Sequence, residues 1–299
     1  ERIYGSIEVY LRKTKDLINF IPVPAGTNLT NFLNTNVGDL ENRGIEISVN
    51  AVPLKRKDLT WDVGVNFTAN ENEITRLTAT DDPNYQGVLV GGISGGVGNT
   101  IQIHSVGFPA NSFYVFEQVY DENGKPIEGL YVDRNGDGQV NNEDLYRLEK
   151  PAPDFFVGFT SNLRYRNFEL SFAGRADVGN YMYNNVESTK SDFQNLFHPT
   201  LYLSNVHRIA TELRFEVPQF FSDYYVQNAS FLRLDHITLG YQFREVSKRL
   251  PFLKVFATVQ NPLLITEYRG LDPEIAGGID NNFYPRSRTF LFGVSARFQ

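Results

Sequence analysis

Apolar and polar residues alternate at period two over stretches of about ten residues, again and again along this chain. That pattern limits the fold more than any other feature does. In residues 61–69, Trp61, Val63, Val65, Phe67 and Ala69 fall on one side of a strand, and Asp62, Gly64, Asn66 and Thr68 on the other. Ile45, Ile47, Val49 and Ala51 oppose Glu46, Ser48 and Asn50 in the same way, and Ile7, Val9 and Leu11 oppose Ser6, Glu8 and Tyr10. An amphipathic helix would repeat near 3.6 residues, so these are half-buried strands. The reading gives about eight of them: Ile3 to Arg12, residues 44–52, 59–70, 155–165 and 167–177, Phe231 to Arg244, Leu253 to Gln260, and Arg288 to Phe298.

Connection lengths alternate as well. Lys55 to Asp58, Arg166-Asn167 and Glu245 to Pro251 are short, whereas Phe20 to Gly38, 71–154, Val178 to Asn228 and Asn261 to Ser287 are long. Consecutive antiparallel strands then carry every long loop at one end. A soluble sandwich has no reason for that asymmetry, but an outer-membrane barrel has short periplasmic turns and long extracellular loops. Strands of about nine to eleven residues also match a tilted crossing of the hydrocarbon layer. The closing segment puts Phe290, Phe292, Val294, Ala296 and Phe298 on one face, as a barrel's terminal strand does.

Composition removes several function classes. The net charge is −7, and the densest basic run, Lys55-Arg56-Lys57, sits in a turn, so no nucleic-acid footprint is present. There is no cysteine, which excludes disulfide scaffolds, thiolate metal sites and cysteine nucleophiles. No apolar run of about 18 residues offers a transmembrane helix, and this says nothing against a barrel, which hides only alternate residues. Aromatic residues make up 14% of the chain, as suits strands and interfaces.

Five blocks carry a family likeness: GSIEVYLRKTKDLI, NVGDLENRGIEISVNA, VDRNGDGQVNNED, KPAPDFFVGFTSNLRYRNFELSFAGRADVGNYMYN and FLRLDHITLGYQF. In this order they resemble the C-terminal half of SusC/RagA-like TonB-dependent outer-membrane transporters of Bacteroidetes. The resemblance implies an all-β fold, the last eight or so strands of a transmembrane barrel of about 22 antiparallel strands, with the plug and earlier strands outside this segment. It also implies import of a nutrient, oligosaccharide or peptide, across the outer membrane. The implied partners are a SusD-like surface lipoprotein as lid, TonB through an N-terminal part not in this sequence, and outer-membrane lipid. A dimer of transporter–lid pairs is expected on the same ground, and no nucleic acid and no enzyme activity.

Within the long region 71–154, residues 133–144 match an EF-type calcium loop without its flanking helices. Asp133, Asn135 and Asp137 hold positions 1, 3 and 5, Gly138 makes the turn at 6, Gln139 offers its carbonyl at 7, and Asp144 stands where Glu is usual at 12. Hard oxygen donors at this spacing suit structural Ca2+. The other reading of the same residues is an Asx-rich turn that caps its own backbone. Residues 91–98, GGISGGVG, lack the Gly-Lys-Ser/Thr ending and the following helix of a phosphate loop. His104, His198, His207 and His236 are scattered and fit polar loop or lumen positions. Glu169 and Asp177 are expected to face the lumen with Arg175. Loop aromatics Tyr114, Tyr181, Tyr183, Phe193 and Phe197, with Tyr202 and Phe283, are the candidates for stacking on substrate, against the alternative that they pack loops or grip the lid. A secreted carbohydrate-binding or adhesin-like module with a calcium-stabilised loop is the competing function. It requires the apolar strand faces to meet in a core. A glycosidase would need a converged acid pair, which no spacing here indicates.

Overall fold

The computed structural model describes residues 2–22, 26, 29, 32–78, 85–197 and 202–298. Eight strands form one sheet: β1 (Ile3–Pro22), β2 (Phe32–Arg56), β3 (Leu59–Arg76), β4 (Phe155–Tyr165), β5 (Phe168–Val178), β6 (Phe231–Ser247), β7 (Leu250–Thr266) and β8 (Thr289–Arg297). Neighbours in sequence are neighbours in the sheet, and every pairing is antiparallel. This is the meander of an up-and-down barrel wall, with free edges at β1 and β8.

Register carries one apolar face across all eight strands. Ile7 stands opposite Ile47, Ile47 opposite Phe67, Phe67 opposite Val157, Leu163 opposite Leu170, Leu170 opposite Leu239, Leu239 opposite Ala257, and Ala257 opposite Phe292. No second sheet covers this face among the described residues: Ile7 is 70% exposed, Val9 78% and Phe292 84%. The soluble-module alternative needs these side chains packed together, so the structure overturns it. The polar atoms on this face are also cared for, because Trp61 Nε1 donates to Ser161 Oγ at 2.9 Å. Lipid offers no hydrogen-bond partner of its own, which makes such pairing obligatory there.

The strands are longer than expected. β1, β2 and β3 have 20, 25 and 18 residues rather than nine to eleven. The physical reason lies in their outward face. Its apolar run on β1 stops at Leu11, and above it Lys13 pairs with Glu41 at 2.9 Å and Arg43 with Glu71 at 2.9 Å. Residues 3–11 at ~3.3 Å per residue and ~40° tilt span roughly 23 Å of depth, close to the usual apolar band. Pairing therefore continues past the lipid into water. The short connections are 57–58, 166–167 and 248–249, all at the opposite end from the long ones.

The long connections fold rather than trail. Residues 88–92, 100–104, 112–115 and 146–147 make a four-stranded sheet, 118–120 and 126–131 a hairpin, and 181–183 pairs with 226–228. Ile101, Phe113, Val115, Tyr183 and Tyr225 are fully buried together. The chain's main apolar core thus sits in its loops, while the wall turns its apolar residues outward. Region 71–154 begins as a continuation of β3 to Arg76 and becomes loop only after it.

Placing a charge on the outward face should cost what lipid burial costs. Val65→Arg, directed at acyl chains, is expected to destabilise the folded barrel by about 2–4 kcal/mol, and Asn66→Arg, on the wet side, by far less. Urea titration of the full-length protein folded into phospholipid vesicles checks the difference.

Candidate functional site

The inner face of the wall is polar and cross-linked by side chains. Thr238 and Thr258 share a hydrogen bond of 2.8 Å, Tyr10 donates to Asn70 Oδ1 at 2.8 Å, and Lys254 pairs with Glu169. Phe256 lies flat over Gly293, where a Cβ would meet its ring at 2.1 Å, so the wall stays smooth there. His236 belongs to this face, beside Asn50, Thr160 and Asn162.

Near the upper end, the wall and the loops are joined by charge. Arg175 on β5 pairs with Asp235 on β6 and with Glu274 of the 267–288 connection. Arg233 on β6 donates to Asp272 at 2.6 Å, and Arg286 reaches Glu274 at 2.7 Å. The Arg233 and Asp272 side chains are only 4% and 9% exposed, so loss of either partner would strand a buried charge. Burial acts to raise the Glu274 carboxyl, but Arg175 and Arg286 hold it below its ordinary value. Glu169 and Arg175 both face inward, and each charge is compensated, Glu169 by Lys254 and Arg175 by Asp235 and Glu274. Asp177 takes no ion-pair partner among the described residues.

At the same height a cavity of about 700 Å³ opens between β2, β3, β5 and the segments 109–111, 150–153 and 273–277. Its wall side is amide-rich, with Asn42, Asn70 and Asn72 in a row. Sequence reasoning missed it. Asn70 ends the polar side of the expected strand 59–70, but Asn42 and Asn72 lie outside the expected strands, and only the register brings the amides of β2 and β3 beneath one roof of loops.

The candidate aromatics are not gathered into one site. Tyr183 is 0% exposed: its hydroxyl donates to Phe220 O at 2.6 Å and its ring meets Tyr225 edge-on. Tyr181 packs against the same core. Tyr114 is half-buried beneath the Arg147 guanidinium, 5.5 Å from its ring centroid. Phe193 and Phe197 are exposed and stack edge-to-face at 5.9 Å, and Tyr202 and Phe283 are exposed too. Burial thus separates residues that look alike in sequence. His104 is bonded to Asn111 Oδ1 at 3.0 Å, His207 is a loop residue, and His198 lies outside the described residues. Residues 91–98 turn tightly and lead into the strand 100–104, with no helix to meet a phosphate.

The 133–144 loop is folded around its own N–H groups. Asp133 accepts from Gly136 N at 2.7 Å and Gly138 N at 2.8 Å, Asn135 Oδ1 from Asp137 N at 2.9 Å, and Asp137 Oδ1 from Gln139 N at 2.8 Å. Asp144 accepts from Asn141 N and Arg134 N at 2.8 Å and from Asn135 N at 3.2 Å. These donors, Asn141 N first, hold its carboxyl below the ordinary value. Among the described residues no three carboxylate or imidazole side chains converge on a metal position. A calcium ion would need the Asn135 amide oxygen and the Gln139 carbonyl to complete its shell. The donor set is all oxygen, which fits a hard cation.

A sheet with an outward lipid-compatible face, a wet inner face and its loops massed at one end is a stretch of outer-membrane β-barrel wall. Comparison with known proteins makes this more specific. No family model matches. The chain is 48% identical over 99% of its length to TonB-dependent receptor SusC of Bacteroides thetaiotaomicron, covering 30% of that protein. It is 29% identical over 99% of its length to TonB-dependent receptor P3 of Formosa agariphila, covering 32% of that one. The RagAB peptide transporter superposes with a TM-score of 0.75 at 24% identity, over 98% of this chain and 33% of its own. The RagAB peptide importer in its open-open state gives 0.76 at 23%. The chain belongs to the SusC/RagA-like TonB-dependent transporters of the outer membrane, as a portion of the barrel, and spans about a third of the length of the relatives it matches. Those relatives are receptors and transporters, not enzymes.

Because Asp144 has a depressed folded-state pKa, its contribution to the loop is complete above the ordinary aspartate value. It fades as pH falls through the lower folded value. Hydrogen exchange should therefore show protection of Arg134, Asn135 and Asn141 amides falling in acid, and Asp144→Asn should flatten that dependence.

Proposed function

We propose that this segment forms part of the wall and mouth of a TonB-dependent importer that moves an oligosaccharide across the outer membrane, with a SusD-like lipoprotein seated over the loops. The observation that carries the reading is the continuous division of eight paired strands into an apolar outward side and a polar inward side, with the folded loops at one end. Such a wall binds and conducts, and breaks no bond in its cargo. Energy would come through TonB, by way of a part of the protein outside this chain. Support for a saccharide over a peptide comes from the neutral amide row facing the lumen, since amides match sugar hydroxyls in both directions of hydrogen bonding. Exposed Phe193, Phe197, Tyr202 and Phe283 suit contact with the lid, and two transporter–lid pairs are expected to associate as a dimer. The parent protein should fractionate with outer membranes, and deleting its gene should abolish uptake of one oligosaccharide class while leaving free monosaccharide uptake intact. Recovery of the parent from the soluble periplasm would refute this.

We also propose that the 133–144 loop takes up structural Ca2+ through Asp133, Asn135, Asp137, Gln139 and Asp144. Its self-capped fold means the ion would tighten the loop rather than create it. Calorimetric titration of the full-length transporter with Ca2+ should show one binding event that both Asp133→Ala and Asp137→Ala remove, with the barrel still folded. A titration without heat, or one unchanged in both variants, would count against the site.

A further inference from the structure

The cavity at the mouth of the wall has a specific imbalance of charge and hydrogen-bonding groups. Two cations line it, and both are already engaged: Lys150 by Asp154 at 2.8 Å and Arg286 by Glu274 at 2.7 Å. Arg175, Arg233 and Arg286 are matched in number by Asp235, Asp272 and Glu274 within one network. Asp177, which also lines the cavity, is left over as a negative charge without an ion-pair partner among the described residues.

The neutral groups are equally particular. Asn72 is fully engaged, donating to Asn42 Oδ1 at 2.8 Å and accepting from Ala110 N at 3.0 Å. Its partner Asn42 keeps its own Nδ2 without an acceptor among the described residues, and Asn70, whose Oδ1 accepts from Tyr10, keeps its Nδ2 likewise. Asn180 is 95% buried against the cavity, its relative exposure being 5%, and its Oδ1 has no partner. Native proteins rarely leave a buried amide oxygen unmatched. The lining thus offers amide donors on β2 and β3 together with acceptors at Asp177 and Asn180. Pro109, Pro151 and Pro273 add apolar surface to the lining, which holds no aromatic ring.

The geometry points to this cavity as a binding site for neutral saccharide, set to reject uronates and other acidic sugars. A hydroxyl donates to Asp177 or Asn180 and accepts from Asn42 or Asn70, so one ring can answer both sides. The sugar's C–H face lies on the prolines. A carboxylated sugar brings its charge to Asp177 in a site whose cations are already neutralised, and like charges at such a place cost binding. The volume of about 700 Å³ lies in the range of ligand sites and holds more than one ring. This rests on the importer reading above and assigns its specificity to named side chains.

The test uses the full-length transporter in detergent and two probes: a mixed pool of neutral hexasaccharides, and the same pool oxidised at C6 to uronates. A pool of uncharged hexapeptides is the control. Wild type should bind the neutral pool at least tenfold more tightly than the oxidised one. Asp177→Asn, which removes the charge but keeps an acceptor oxygen, should erase that preference by raising affinity for the oxidised pool at least fivefold. Asn42→Ala and Asn180→Leu should each weaken neutral binding about tenfold, with heat-modifiable mobility confirming a folded barrel for every variant. Neutral binding that Asn42→Ala and Asn180→Leu both leave intact, or a preference that Asp177→Asn leaves unmoved, would overturn the site while the importer reading stands. Preference for the peptide pool would overturn the saccharide class. Binding of no pool, together with no uptake by cells, would overturn the importer reading as well.

Discussion

Everything in this molecule follows from the backbone's need for hydrogen bonds in a medium that supplies none. Acyl chains cannot accept from an N–H, and each unsatisfied group in hydrocarbon costs several kcal/mol. The unbroken antiparallel ladder from β1 to β8 answers that need for every interior strand. It also leaves the outer edges of β1 and β8 unanswered. Two bare edges in lipid are not tolerable, so further wall strands of the parent protein must cover them, in keeping with a chain that spans about a third of its relatives.

The same demand divides the labour between wall and loops. A wall strand can place only every second residue inward, and those positions are needed for a wet surface, so the wall has little interior of its own. Fully buried apolar residues such as Ile101, Phe113 and Tyr225 therefore collect above it, in connections long enough to fold on themselves. The loops are a small domain threaded through the wall rather than a fringe, and this is why they can form a cavity against it.

The wall was legible from sequence because period two is a property of neighbouring residues, and lipid on one side with water on the other writes it strongly. Trp61, Val63, Val65 and Phe67 needed no tertiary information. Strand length was not legible. Above Leu11 and Ala69 the outward face becomes charged, as with Lys13, Arg43 and Glu71, so alternation ceases to announce a strand although pairing continues. The loops were least legible. Tyr183 and Phe197 are both aromatic residues in long connections, and only packing distinguishes a core ring from an exposed one. Residues 133–144 offered two readings, a calcium loop and an Asx-rich turn, and the backbone capping found there was within reach of sequence because Asx side chains act on backbone within a few residues. The amide row, in contrast, belongs to register between strands and left no local trace.

The buried pairing of Arg233 with Asp272 has a mechanical corollary. Residues 267–288 cannot swing away from β6 without exposing a naked guanidinium and a naked carboxylate to each other's absence. This part of the canopy therefore rides with the cylinder as one stiff piece. Any movement of the mouth must be sought in the other connections, not in this fixed rim.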